Sequence, residues 1–365
     1  MTAGQRVRGL VTAAAYCALI AAAASCDSGA ATPAADSGVP SGDGTVYPPL
    51  VPSHDFEGFD VAPGEERIGD CQSWTLHNPE PIYVNAVHMA SEGGFHHSVW
   101  YYVPETRYAG DDGTWPCDER GFNDVDAATR GGGALYSQST QAPAESQQFQ
   151  PGVALVIPPF SRIVGNVHLL NAGATTLTTH IRLDLDLLDE SAVGVLLAPL
   201  NFNYFHIDLP PHAASEFRSE CDLATTYMTN LGKAVDFHVY YVLPHYHRLG
   251  TLFRLEAIGG PHDGETIFES TTPVGEPLGR TLDVPFDMTG AVGFRATCGF
   301  NNTTSDRIFW GIGDQEMCNT LVYTDSELII GAATLSNTVE GTVDGVVLNT
   351  GPCALAGARA RLPMH

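Results

Sequence analysis

Apolar and polar positions alternate with a period of two over much of this chain, in short runs broken by Gly, Pro and Asn. The clearest run is 177–187. Leu177, Thr179, Ile181, Leu183, Leu185 and Leu187 fall on one face and Thr178, His180, Arg182, Asp184 and Asp186 on the other, the signature of a strand with one wet side. Shorter runs at 82–89, 98–103, 152–157 and 163–170 precede Pro210-Pro211. A second series follows at 236–243, 250–258, 265–271, 291–299, 307–311, 320–324 and 343–348. Only 222–231 allows a helical turn or two. This spacing predicts an all-β fold of two tandem jelly-roll β-sandwich domains, residues 47–209 and 210–365, with the boundary at the two prolines.

Candidate chemistry sits at the ends of these runs. In the strand leading to Pro244, Phe237, Val239, Tyr241 and Leu243 form an apolar stripe that His245 and His247 continue. Strand residues two apart lie roughly 6.6 Å apart, so both rings can converge on one metal ion. A pair of hydrogen-bonded interior histidines is the plainer alternative, and the position on the apolar face favours the metal. His96 and His97 follow Gly93-Gly94-Phe95. Adjacent strand residues point to opposite faces, so these two can share an ion only where the backbone leaves regular β geometry, a freedom the glycines supply. His168 is the natural third nitrogen. A disulfide between Cys298 and Cys318 would close a loop of roughly twenty residues, stabilise by about 3 kcal/mol and hold the adjacent Met317. A thioether is soft and favours Cu(I), so a His-X-His with a fixed Met reads as copper. His88, near His96 in sequence, is a candidate support for a ligand. His54, His77, His206, His212, His238 and His262 read as surface or loop residues.

Composition narrows the setting. The formal charge of −25, from 42 acidic against 17 basic residues, excludes nucleic acid as an expected partner. Arg6 and Arg8 precede an uncharged run over 10–24 that is too short and Ala-rich to anchor the chain as a transmembrane helix. It closes on Ala23-Ala24-Ser25-Cys26, which resembles a bacterial lipobox with Cys26 as the lipidated residue. Residues 1–26 are therefore expected to be a lipoprotein signal peptide and 27–46, rich in Ala, Gly, Ser, Pro and Asp, a disordered tether. The expected location is outside the cytoplasm, in a bacterial cell envelope or periplasm, with membrane contact through a lipid anchor only. Six cysteines then remain, enough for three disulfides with fifteen possible pairings.

Taken together, His96-His97, His168, His245-Tyr246-His247 and Glu316-Met317-Cys318 resemble, in order and approximate spacing, the ligand motifs of the type II copper, ascorbate-dependent monooxygenases, which hydroxylate peptidylglycines or dopamine. Trp115-Pro116-Cys117-Asp118-Glu119 is similar to another stretch of that family, and the resemblance spans residues 71–353. It implies two jelly-roll domains with one copper in each, facing each other across a water-filled cleft. His96, His97 and His168 would hold the electron-transfer copper, and His245, His247 and Met317 the catalytic one. Of the fifteen pairings it selects Cys71–Cys117, Cys221–Cys353 and Cys298–Cys318. The implied function is hydroxylation of an activated C–H bond of a small organic substrate, using O2 and an ascorbate-like reductant.

Departures from the family bear on the substrate. Leu243 and Leu321 occupy positions where peptide-hydroxylating members carry an Arg and a Tyr that bind the substrate carboxylate, although Asn319, the third member of that group, remains. Peptidylglycines are thus not the expected substrate, and a more apolar pocket is. A non-catalytic copper-binding or electron-transfer lipoprotein is the alternative reading. A structural β-sandwich with incidental histidines is a third.

Overall fold

The computed structural model describes residues 51–129 and 132–360. The expected signal peptide, Cys26 and tether lie outside the described residues. As the alternating pattern predicts, the fold is all β; two short helices and one 3-10 turn are the helical elements among the described residues.

The first half is a sandwich of two sheets. One contains Ser53–Asp55, Ile181–Leu188, Ile82–Ser91, Val153–Ile157 and Val195–Leu196, with Ala144–Gln148 also beside Ile82–Ser91. The other runs Gly113–Pro116, Glu66–Thr75, Ser161–Leu170, Phe95–Pro104, Gly133–Ser137. Consecutive strands repeatedly change sheet: Glu66–Thr75, Ile82–Ser91 and Phe95–Pro104 alternate, as do Val153–Ile157, Ser161–Leu170 and Ile181–Leu188. That is the antiparallel wrap of a jelly roll. Val84, Val87, Trp100, Ile163 and Leu183 are fully buried in its core.

The second half is built on one eleven-stranded sheet that folds over itself along Val346–Arg359, a 14-residue strand. The early part of that strand pairs with Ala213–Asp222 and with Thr338–Val343, its later part with Leu328–Thr334. Leu200, Val239 and Val322 from one arm then face Leu255, Ile267 and Phe294 from the other. Helix Leu223–Leu231 fills the expected helical segment, capped by the Asp222 carboxylate and ended by Gly232 at φ 71°. Strand Ala198–Asn203 already belongs to this sheet, pairing with Asn319–Thr324 and Leu328–Thr334. The passage between halves therefore lies just after Leu196, ahead of Pro210-Pro211, and the halves pack as one compact unit.

The three disulfides are Cys71–Cys117, Cys221–Cys353 and Cys298–Cys318, the set implied by the resemblance. Cys298–Cys318 ties Gly293–Asn302 of one arm to the start of Asn319–Thr324 of the other. Three such bonds suit a chain that matures in an oxidising compartment, as an exported protein does. The 177–187 run differs from its expected form: it is two strands interrupted at His180, and a bulge after Asp186 leaves Leu187 exposed.

Candidate metal centre

Bulges decide where the candidate ligands point. In His238–His245 the pairing register shifts between Val239 and Tyr241. The expected single stripe is therefore split. Phe237 and Val239 line the interior of the second half, whereas Tyr241 turns to the first half, where Phe149 packs at 6.0 Å from it and 5.3 Å from Tyr323. Alternation carries His245 to the same side. His247 lies beyond the strand end and is fixed by hydrogen bonds. Its backbone N–H donates to Glu316 Oε2 at 2.9 Å, the Leu249 N–H donates to Glu316 Oε1 at 2.7 Å, and its Nδ1 lies 2.7 Å from the Gln315 carbonyl. Burial pushes the Glu316 carboxyl up to about 7, against the pull of those backbone donors.

A second bulge serves the first half. His168 pairs with His97, but its neighbour Leu169 pairs with Phe95, so His96 is the extra residue. Here is the departure from regular β geometry that a shared ion requires, next to Gly93 and Gly94 at φ 95° and 77°. His168 Nδ1 lies 3.2 Å from His97 Nε2, and its Nε2 lies 2.8 Å from Glu66 Oε1.

The resemblance implies two ligand sets apart across a cleft; the structure places them in contact. Ring centroids are 4.7 Å apart for His96 and His168, 5.0 Å for His97 and His168, 4.9 Å for His96 and His247, 4.9 Å for His97 and His245, and 5.3 Å for His245 and His247. Candidate ligand atoms of His97, His245 and His247 lie within 4.8 Å of one another. Nε2 of His96, His245 and His247 is buried without a hydrogen-bond partner. Such orphans are rare in folded proteins, and a metal ion satisfies them. Burial, with the neighbouring imidazoles, pushes His96 down to about 3 and holds His97 and His245 well below the usual range. Burial brings His247 to about 4 and also lowers His168, against the attraction of Glu66. Each of these shifts favours the neutral imidazole, the form that binds metal.

Local partners select which nitrogen is offered. Thr140 Oγ1 donates to the Tyr246 carbonyl at 3.0 Å, so at 3.2 Å it must accept from His245 Nδ1–H, which leaves the Nε2 lone pair free. The Gln315 carbonyl does the same for His247. Met317 is buried, and Asn319, which pairs with His245 across the strands, donates from Nδ2 to its Sδ at 3.6 Å. The five imidazoles form a donor set that copper accepts, and Met317 is linked to them through Asn319, the strand partner of His245.

The remaining expected residues are placed differently. Leu243 and Leu321 pair directly across the strands and are buried. They do not line the cavity of about 270 Å3 beside the cluster, whose walls include Glu66, His96, Gln141, His247, Arg248 and Asp314. Leu170 and Val274 share those walls with the polar residues, so the cavity is mixed in character. His88 bonds to Ser146 and Asp186 on an exposed face and supports no ligand. Glu66, Thr140 and Gln141 were invisible to pattern reading. Glu316 lies within a motif already noted, but its grip on the 247–249 turn has no sequence signature.

Comparison with known proteins gives no family model and no curated protein that matches. Solved structures with similar folds include a chain of Cowpea mosaic virus top component (9% identity, TM-score 0.30, covering 75% of this chain and 90% of that one). A chain of Sulfolobus Turreted Icosahedral Virus has 10% identity and TM-score 0.19, with 73% of this chain covering 58% of that one. PBCV-1 VP54 has 8% identity and TM-score 0.24, covering 76% and 95%. These distant likenesses carry no argument about function.

Proposed function

We propose that this chain is an exported copper-dependent monooxygenase that inserts one atom of O2 into an activated C–H bond of a small organic substrate, the other leaving as water with two electrons from an ascorbate-like reductant. The observation that carries the reading is the set of orphaned Nε2 atoms of His96, His245 and His247, two of them locked by Thr140 and Gln315, with the Met317 thioether held by Asn319, the strand partner of His245. His245, His247 and Met317 would hold the catalytic copper, with His96, His97 and His168 as the electron-transfer ligands. Copper supplies O2 binding and one-electron chemistry when bound. Met317 would favour the reduced ion. Glu316 fixes the His247 turn, Glu66 orients His168, and the cavity beside His96 and His247 admits the substrate. A lipid anchor at Cys26 would keep the enzyme at a bacterial envelope.

Burial of Leu243 and Leu321, where the peptide enzymes bind a carboxylate, favours one other reading, a copper-binding or electron-transfer protein without turnover. Reductant-driven O2 uptake coupled to hydroxylation across a substrate screen separates the two. Metal analysis should find copper in wild type, and carbon monoxide binding to the reduced protein should be lost in Met317→Ala. Turnover of a C-terminal glycyl peptide at rates comparable to the peptide enzymes would overturn the exclusion of that substrate.

A further inference from the structure

We infer that the metal site containing His245 and His247 is completed across the junction of the two halves, by His97 as ligand and Thr140 as positioning residue. The inference rests on the copper reading above and changes its architecture: the two sites are not independent.

Three observations point the same way. The cluster whose ligand atoms lie within 4.8 Å combines His97 with His245 and His247 instead of with His96 and His168. The His97 ring lies as close to that of His245, 4.9 Å, as to that of His168, 5.0 Å. And the hydroxyl that fixes the His245 tautomer belongs to the first half, so the second half alone does not orient its own ligand. The segment bearing Thr140 is also tied across the junction by backbone: the Gly275 N–H donates to the Thr140 carbonyl at 2.9 Å. An ion bound here would be gripped by both sandwiches, and His97 could serve either ligand set only at the expense of the other.

The test is Cu(I) titration of the full chain against a chromophoric chelator, with the infrared stretch of carbon monoxide on the reduced protein as a second readout. His97→Ala should weaken, by about tenfold or more, the copper whose carbon monoxide binding is lost in Met317→Ala, and shift its carbon monoxide stretch. His96→Ala should leave that stretch in place. Thr140→Val, which keeps all five imidazoles, should weaken the same copper and so decides the matter if His97→Ala does not fold. Should His97→Ala and Thr140→Val both leave the Met317-dependent copper unchanged, the sites are separate and the inference fails while the copper reading stands. Wild-type protein that binds no copper would overturn both.

Discussion

A buried imidazole becomes a metal ligand when its other nitrogen is already taken. Glu66 does this for His168 from a side chain that is 38% exposed, so its loss should spare the fold. Glu66→Ala is expected to lower copper affinity by about 10–100-fold while leaving the unfolding midpoint of the metal-free protein nearly unchanged, measured by chelator competition and denaturant titration. The depressed imidazoles also predict a pH dependence. Between about 3 or 4, the folded values for His96 and His247, and 6.5, the unfolded chain binds protons that the folded cluster refuses. Metal-free protein should therefore lose stability as pH falls from 6.5 through that window. Glu316, raised to about 7, acts in the opposite sense together with the raised carboxyls of Asp124 and Glu145, three groups against the five lowered imidazoles of the cluster and that of His54. A stability that rises on acidification from pH 6.5 to 4 would contradict this. The clustered histidines were legible in sequence because their residue type carries chemistry at a recognisable spacing. Glu66 and Thr140 were not, because ordinary polar residues gain meaning only from what the fold brings to them.

Strands and turns set the aim of those side chains. Tyr246 stands between two candidate ligands, and a side chain at Gly250 would place its Cβ 2.2 Å from the Tyr246 ring. Gly250→Ala should push that ring away and misplace His245 and His247 together. Expected is a drop in copper affinity of at least about tenfold in a protein that still folds, read by the same chelator competition. Unchanged affinity would mean the turn yields elsewhere. Period-two alternation made about half of the strands readable; it missed Glu66–Thr75, Arg280–Asp287 and Leu328–Thr334, and also Ala213–Asp222, whose buried positions are Ser215, Phe217, Ser219 and Cys221. Only one of these is large and apolar, so the alternation carries little hydrophobic contrast. Bulges were missed for another reason: the shift between Val239 and Tyr241 comes from pairing with remote strands, and no local pattern announces which residue will be extra.

On the scale of the whole molecule the junction between halves is the feature that sequence could not supply. Phe149 of the first half is buried against Tyr241 and Tyr323 of the second, and the Tyr323 hydroxyl donates to the Leu135 carbonyl at 3.0 Å. Phe149→Ala should cost about 3–5 kcal/mol in chemical denaturation and weaken copper binding, though it touches no ligand. A loss of stability without a loss of affinity would show that the ligands do not depend on the junction. Two sandwiches were readable from strand spacing, whereas their contact depends on which outer faces are apolar after the bulges have turned them. Strand Val346–Arg359 has a consequence for the order of events. Both arms of the second half hang on it, and Cys221 finds its partner there after a separation of 132 residues. Both arms pair with that strand, so the sheet of the second half cannot close until residues 346–359 have been delivered. Assembly must wait for residues near the C-terminal end of the described chain, and with pairings this remote it is expected to be slow, leaving a long interval in which the partly formed arms need protection from one another's edges.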